Sequence, residues 1–522
     1  MSTIIYAYTK QFANETGAAM HLALSKNGEQ PKPLNHGFGV LFPKCDFACA
    51  SIEGKSKGLI NPWLYRTPQG TFGVAALRRD FGKAGEVEFE KETANQVLFF
   101  ESSDLIHYTE LGLRAIAPEG KAIEDVRVSL DRNLYRIHLL CGGEWLCYTS
   151  SDLITFSAED KPISVEPRES IPVWDAAPAC ALAITEAESI RLIRRFTKPE
   201  RITGQKEYPF PLMPARGDPM AIFYQGRYYF MATDDEHGQL ALKIRVVDHI
   251  ADIPSAKDHV LLTANETGDY SGCFWAPELH VVNGRLCLFF AAGMPHWYTV
   301  QSRVMILTGD DPANAACWTA PRRCEKADGS YLTDDGITLD MTVLDTKSGY
   351  YVIWSQRPVI QEPFTLGTAD LMIARLDEKE PWRLASAPVT LCRPEYGWER
   401  IGTQVTEGAF CLKRGSTLFI TYAAALIDHT YCVGLLTATD GDDLTNIANF
   451  QKSNYPVIHR YSVPGQIGAG HNSFVKDKDG TDILMIHGIP MENYLHDPKD
   501  WRRYPCFRAV VWDEENYPHL DV

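Results

Sequence analysis

The sequence lacks several features that would fix its class at once. No run of 18 apolar residues occurs in the 522, so no membrane-spanning helix is expected. The first residues, "MSTIIYAYTKQFANETG", carry no basic segment followed by an apolar one, so no secretory leader is expected. Cationic residues are in deficit, with 51 Lys and Arg against 67 Asp and Glu, a formal net charge of −16. That balance argues against nucleic acid and against anionic membrane surfaces as partners. The 13 cysteines are scattered from Cys45 to Cys506 with no small-scaffold spacing, and they read as reduced, mostly buried thiols. Neither Cys45 and Cys49 nor Cys141 and Cys147 has a His or Cys pair at zinc-site spacing nearby. These points together lead to a cytoplasmic compartment as the expectation. G-x-S-x-G, P-loop, H-E-x-x-H and dinucleotide-binding glycine patterns are absent as well.

Long amphipathic helical patterns are also scarce. Short alternating runs broken by Gly, Asn and Asp dominate, such as "AIFYQGRYYFMAT", "LHVVNGRLCLFFAAG" and "GYYVIWSQ". These are hairpin signatures, and they predict an all-β protein. One short helix is expected around "TEAESIRLIRRF", residues 185–196. The link "TKPERITGQKEYPFPLMP" follows it, which divides the chain into an N-terminal β-rich domain, 1–204, and a C-terminal domain, 205–522.

The C-terminal domain is periodic. Asp218 precedes "PMAIFYQGRYYFMAT", Glu278 precedes "LHVVNGRLCLFFAAG" and Asp340 precedes "MTVLDTKSGYYVIWSQ". Glu407 precedes "GAFCLKRGSTLFITYAA", and His471 precedes "NSFVKDKDGTDILMIHG". The intervals are 60 to 67 residues. Repeated antiparallel units of this length predict radial repetition, a five-bladed β-propeller. Residues that open each innermost strand then converge on the axis. Any one of the five could be a plain turn residue; a shared period of Asp, Glu or His weakens that reading. The N-terminal domain carries fainter echoes. "ESSDLIHY" at 101–108 resembles "TSSDLITF" at 149–156, and "NPWLYRTPQGTFGVAAL" parallels the stretch from Asp218 with Asn61 in place of the acid. It reads as propeller-like or as a β-sandwich, an accessory domain without its own catalysis.

Five stretches in order, "RGDPMAIFYQGRYYFMATDD", "FWAPELHVVNGRLCLFFAAG", "LDMTVLDTKSGYYVIWSQ", "TEGAFCLKRGSTLFITYAA" and "GAGHNSFVKDKDG", resemble glycoside hydrolase family 43. The resemblance covers roughly residues 205–522. "PEYGWERIGTQVTEGAF" is most similar to its arabinofuranosidase-like members. It implies an inverting glycosidase in which Asp218 is the general base, Glu407 the general acid and Asp340 a third acid that keeps Glu407 protonated and oriented. It implies that His471 lies on the axis, near a hydrated calcium or another ion; calcium prefers oxygen ligands, so a histidine bonded to a catalytic acid without metal is the alternative. Trp275 matches a pocket-wall tryptophan, with a core tryptophan as the bland alternative. Phe274, Gln356 and Arg357 are weaker substrate-binding candidates. For a sugar-contacting arginine of the last blade, Arg503 and Arg508 both fit, and Arg508 is taken as the candidate.

The physics of inversion agrees with three acids at one mouth. The acid must keep its proton near neutral pH, and a neighbouring carboxylate raises its pKa. The expected substrate is an α-L-arabinofuranosyl group on an oligosaccharide or polysaccharide such as arabinoxylan, with exo action and no organic cofactor. β-Xylosidase and endo-arabinanase are the alternatives within the fold, and a non-catalytic carbohydrate-binding propeller is the alternative outside enzymes. The Arg216-Gly217-Asp218 tripeptide also matches an adhesion motif, but Pro219 biases Asp218 toward extended backbone and a rigid strand entry.

Overall fold

A computed structural model describes residues 3–521 apart from 13, 15, 47–55, 82–86, 89–92, 160–164, 200–205, 295 and 362–363. The chain is all-β with few helices, and it divides into two compact units. One holds Met1–Cys49, Glu53–Lys198 and Glu395–Trp398; the other holds Ala50–Ile52, Pro199–Pro394 and Glu399–Val522. The boundary expected between residues 204 and 205 lies outside the described residues.

The larger unit contains five consecutive antiparallel sheets. Their first strands are Gly217–Tyr224, Gly272–Val282, Gly336–Thr346, Thr406–Arg414 and Gln466–Lys476. Each is joined to its second strand by a tight turn. At Gln225-Gly226 and Asn283-Gly284 both turn residues have positive φ, the geometry that matches the twist of the flanking strands. Four sheets have four or five strands, and the fifth has three. The first strand of each sheet packs against that of the next, and the fifth packs back on the first, so the inner strands close a ring. Apolar layers lie between the sheets. Tyr228 and Phe230 of the first sheet meet Met485 and Phe507 of the fifth, and Trp354 of the third packs against Phe289 of the second. Burying such a side chain contributes about 1.5–3 kcal/mol. The ring closure also has a polar tie, Ser473 Oγ donating to the Pro219 carbonyl at 2.8 Å.

The five inner strands share a defect. Each pairing register slips near the strand's start, and a residue with positive φ sits at the slip: Asp218, Ala276, Asp340, Gly408 and His471. Such bulges bend a strand and re-aim a side chain. The repeating position is therefore this left-handed residue. Asp218, Asp340 and His471 occupy it as read from the sequence. In the second and fourth sheets it falls on Ala276 and Gly408, not on Glu278 and Glu407.

The smaller unit holds three antiparallel sheets among its described residues. One joins Thr3–Tyr8 to Cys180–Ile184, so the two ends of the unit share a sheet. The expected helix is Glu186–Phe196, capped by Thr185 with Glu188 completing a capping box. The strand Lys57–Arg66 carries the same slip, with Asn61 at φ 51°. The two "SSDLI" echoes are turn fasteners. Asp104 Oδ1 accepts from the backbone N–H groups of Ile106 and His107, and Asp152 Oδ1 accepts from those of Ile154 and Thr155. Asp377 plays the same part in the larger unit, accepting from Lys379 and Glu380.

Candidate active site

A cavity of about 550 Å³ lies in the larger unit, and Asp218, Asp340, Glu407 and His471 all reach it. Trp275, Gln239, Asp235 and Arg503 line it too. The bulges explain the convergence, because three of the first four residues are at, and one is next to, the re-aimed position of an inner strand.

Asp218 is buried and held on every side. Arg503 Nη1 donates to Oδ1 at 2.7 Å, Thr233 Oγ1 donates to Oδ2 at 2.6 Å, and His471 Nδ1 lies 3.2 Å from Oδ1. Burial opposes its charge, but Arg503 first and then His471 hold the carboxyl well below the usual range. Asp218 thus stays a carboxylate below the range where an ordinary carboxyl takes up its proton. His487 sits behind it and accepts from the Asp218 backbone N–H at 3.2 Å; burial pushes its pKa down to about 4, so it stays neutral.

Asp340 and Glu407 go the other way. Burial pushes the Asp340 carboxyl up against the opposing pull of His471, and the Glu407 and Asp218 carboxylates push it further. Its Oδ2 accepts from the Gly408 N–H at 3.0 Å. Glu407 is raised by burial and by Asp218, against a 2.7 Å bond from the Tyr431 hydroxyl to Oε1. The pair keeps a proton into a range where an ordinary carboxyl has lost it. One cavity therefore holds a fixed carboxylate and a protonated carboxyl, the separation of roles that acid–base catalysis requires.

His471 is buried at the ring's centre, its Nδ1 also 3.7 Å from Asp340 Oδ2. Burial favours the neutral ring, but Asp218 and Asp340 raise its pKa. Among the described residues no group of three or more His, Cys, Asp or Glu is placed to hold a metal ion. His471 turns Nδ1 toward the Asp218 and Asp340 carboxyl groups, and Arg503 already supplies Asp218 with a cation.

The other candidates divide. Trp275 lines the cavity, its indole N–H donating to Gln239 Oε1. Phe274, one residue earlier on the strand, points the other way into the core and stacks on Phe290 at 6.0 Å. Burial lowers the Arg357 pKa, with Glu407 near enough to oppose it, but the guanidinium is spent on the Gly367 carbonyl and Thr403 Oγ1, at 2.8 and 2.9 Å. Gln356 Oε1 accepts from the Trp354 indole at 3.2 Å. Neither Gln356 nor Arg357 is among the cavity's lining residues. Arg508 lies within a strand and is bonded to Gln466 Oε1 and Cys506 Sγ; the arginines that line the cavity are Arg502 and Arg503, and of these Arg503 is bonded to Asp218. Glu278 pairs with His280 at 2.7 Å, away from the cavity lining. Asp235 is a partner that sequence reasoning missed, gripping Arg503 with both oxygens at 2.7 and 2.8 Å. "ATDDEHG" reads as a turn, and nothing in its spacing marks the second aspartate.

The Arg-Gly-Asp tripeptide is buried. Arg216 pairs with Asp258 at 2.7 Å, and Asp218 faces the cavity. Gly217 is small for a reason: a Cβ there would stand 2.1 Å from Arg503 Cζ. Gly217→Ala is expected to displace the guanidinium from Asp218 and so to break a buried charged pair. Turnover should fall at least tenfold and the thermal midpoint should fall with it, as read by kinetics beside a melting curve. A large fall in midpoint with turnover intact would contradict this.

Comparison with known proteins adds a lineage. The family description "Glycosyl hydrolases family 43" matches residues 208–518. Alpha-L-arabinofuranosidase B of Pyricularia oryzae is 33% identical over 320 residues, which cover 60% of this chain and 63% of that protein. The extracellular exo-alpha-(1->5)-L-arabinofuranosidase of Streptomyces chartreusis is 32% identical over 294 residues, 56% of this chain and 85% of that protein. The crystal structure of alpha-L-arabinofuranosidase from Lactobacillus brevis matches with a TM-score of 0.52 at 28% identity, covering 60% of this chain and 96% of that one. This chain thus spans under two thirds of the length of the Pyricularia relative. The Streptomyces relative is named extracellular, so the cytoplasmic expectation gains no support. Among the described residues no helix is long and apolar enough to cross a membrane.

Proposed function

The chain belongs to glycosyl hydrolases family 43, and we propose that it is an inverting, exo-acting α-L-arabinofuranosidase working on oligosaccharides or polysaccharides. One observation supports the reaction class: a cavity in which the Asp218 carboxyl is held low while the Asp340 and Glu407 carboxyls are raised. The sugar is taken from relatives named as arabinofuranosidases at 32–33% identity. The ring of five sheets is read as a five-bladed β-propeller with the cavity at its axis.

In this reading Asp218 takes a proton from a water, whose oxygen attacks the anomeric carbon. The glycosidic C–O bond breaks, and the Glu407 proton passes to the leaving oxygen. Attack opposite the leaving group inverts the anomeric centre. Asp340 is the positioning residue for the acid: its Oδ2 anchors the Gly408 N–H beside Glu407. His471 faces both Asp218 and Asp340 through Nδ1 and serves as a buried cation between them. Trp275 forms a wall for the sugar's C–H face. The N-terminal unit is assigned no hydrolysis, because the position equivalent to Asp218 is Asn61, whose amide donates to the Glu124 carbonyl at 2.8 Å.

The test is sugar release from 4-nitrophenyl α-L-arabinofuranoside, 4-nitrophenyl β-D-xyloside, linear arabinan oligomers and arabinoxylan oligomers. Arabinose release with the β-anomer as first product is expected. Xylose release would overturn the sugar, and retention would overturn the roles of Asp218 and Glu407. Binding without any release would turn the reading to a carbohydrate-binding propeller.

A further inference from the structure

A second cavity, of about 390 Å³, lies between the second and third sheets of the larger unit. Two arginines line it, Arg303 and Arg323. Arg303 is buried, only 5% exposed, and Arg323 is partly buried. Their bonds are mostly to neutral groups. Arg303 Nη2 donates to the Asp269 backbone carbonyl at 3.0 Å; Arg323 Nη2 donates to Gln301 Oε1 at 2.9 Å and the Thr333 carbonyl at 2.8 Å. The nearest carboxylate oxygen to either, from Asp269, is 3.8 Å from Arg303 on a side chain 77% exposed. Asp334 and Asp335 are exposed residues of the same lining. The Nε atoms of both arginines are buried and find no acceptor among the described residues. A buried and a partly buried guanidinium whose hydrogen bonds go mostly to neutral groups are expensive, and a shared anion would offset that cost through charge-assisted, forked hydrogen bonds.

Among the described residues one aromatic ring lines this cavity, Tyr298, stacked on His296 at 5.2 Å and met edge-on by Phe364 at 5.6 Å; Phe364 and Tyr331 are not part of the lining. The face of Tyr331 covers Arg323 at 3.8 Å. Phe364 and Tyr331 are 52% and 45% exposed, more than a folded surface needs to leave open. Flat exposed rings suit the C–H face of a sugar. The cavity also shares an apolar wall with the candidate active site: Trp275 and Leu339 line the first, Tyr298 and Val359 the second, and all four belong to one cluster.

We propose that this second cavity binds a carboxylate-bearing sugar, a uronosyl group, with its carboxylate between Arg303 and Arg323 and its ring against Tyr298. The three aspartates at the mouth are solvent-facing and screened, whereas the arginines act from a low-dielectric interior. The site is separate from the acid–base machinery and does not depend on it.

Calorimetric titration of the full chain with D-glucuronic and D-galacturonic acid tests this, beside their methyl esters, D-xylose and inorganic phosphate. At least one uronate should bind, weakened at least tenfold by esterification. Arg323→Gln should weaken it tenfold or more while hydrolysis of 4-nitrophenyl α-L-arabinofuranoside is unchanged. Should that variant fail to fold, Tyr298→Ala takes its place with the same expectation. No uronate binding, equal binding of ester and acid, or binding that survives both variants would overturn the proposal. Phosphate binding as tight as uronate binding would make it an anion site with no sugar specificity and would overturn the sugar assignment.

Discussion

Glu407→Gln is expected to lower kcat/KM on arabinan oligomers by roughly 10²–10⁴-fold, the usual worth of a general acid. The amide keeps the shape and can still meet the Tyr431 hydroxyl, but it has no proton to give. The loss should shrink sharply on 4-nitrophenyl α-L-arabinofuranoside, because nitrophenolate leaves without help. Asp218→Asn should lose as much on both substrates, since a water must be deprotonated whatever leaves. Equal losses for Glu407→Gln on the two substrates would remove it from the acid role. Unfolding would not explain the loss. The Glu407 pKa is raised in the folded state, so its protonated form is the one folding favours. That contribution is full below the unfolded pKa and is lost as pH rises through the folded value. A neutral amide removes this penalty at neutral pH, so the variant's thermal midpoint should match or exceed that of the wild type.

The parts legible in the sequence are those fixed by local chemistry. Hairpin turns such as Gln225-Gly226 announce themselves, because few residues tolerate positive φ. Asp218, Asp340 and His471 stood out because they occupy the bulge position itself. Glu278 and Ala276 show where counting acids goes astray: the repeat is a backbone conformation, and the side chain that happens to be acidic can sit two residues away. Glu407 reaches the cavity from beside its bulge residue, Gly408, so the same error was harmless there. Phe274 and Trp275 could not be separated without the register, since neighbours on a strand face opposite ways. Arg503 and Arg508 differ likewise. One precedes the strand Tyr504–Ala509 and is free to fold back over Gly217, while the other is fixed inside it opposite Leu484. Asp235, Tyr431 and His487 carry no local mark at all, because their importance lies in partners that are 24 to 269 residues distant in sequence.

Arg503→Gln is expected to move the acidic limb of the pH–activity profile upward. The cause is the bond from Nη1 to Asp218 Oδ1 at 2.7 Å, held in place by the two-pronged grip of Asp235. Burial pushes the Asp218 carboxyl up; Arg503 is the largest of the influences that pull it down. In the wild type the base therefore stays ionised below the ordinary carboxyl range, and activity should persist there until another group fails. Without Arg503 the burial is opposed by His471 and the Thr233 hydroxyl, while His487 is neutral at the pH in question. Asp218 then holds its proton to higher pH, and a protonated carboxyl cannot accept one from water. Breaking a buried charged pair costs about 3–5 kcal/mol, so kcat/KM at mildly acidic pH should fall by about 10² or more. At higher pH, where Asp218 ionises again, part of the loss should return. An arginine that merely touched the sugar would act otherwise: KM would rise by the same factor at every pH and the limb would stay where it was. Asp235→Asn separates the two further, since it leaves the guanidinium present but loosens it, and a smaller shift in the same direction is expected. A limb that does not move in either variant would take Arg503 out of the control of the base.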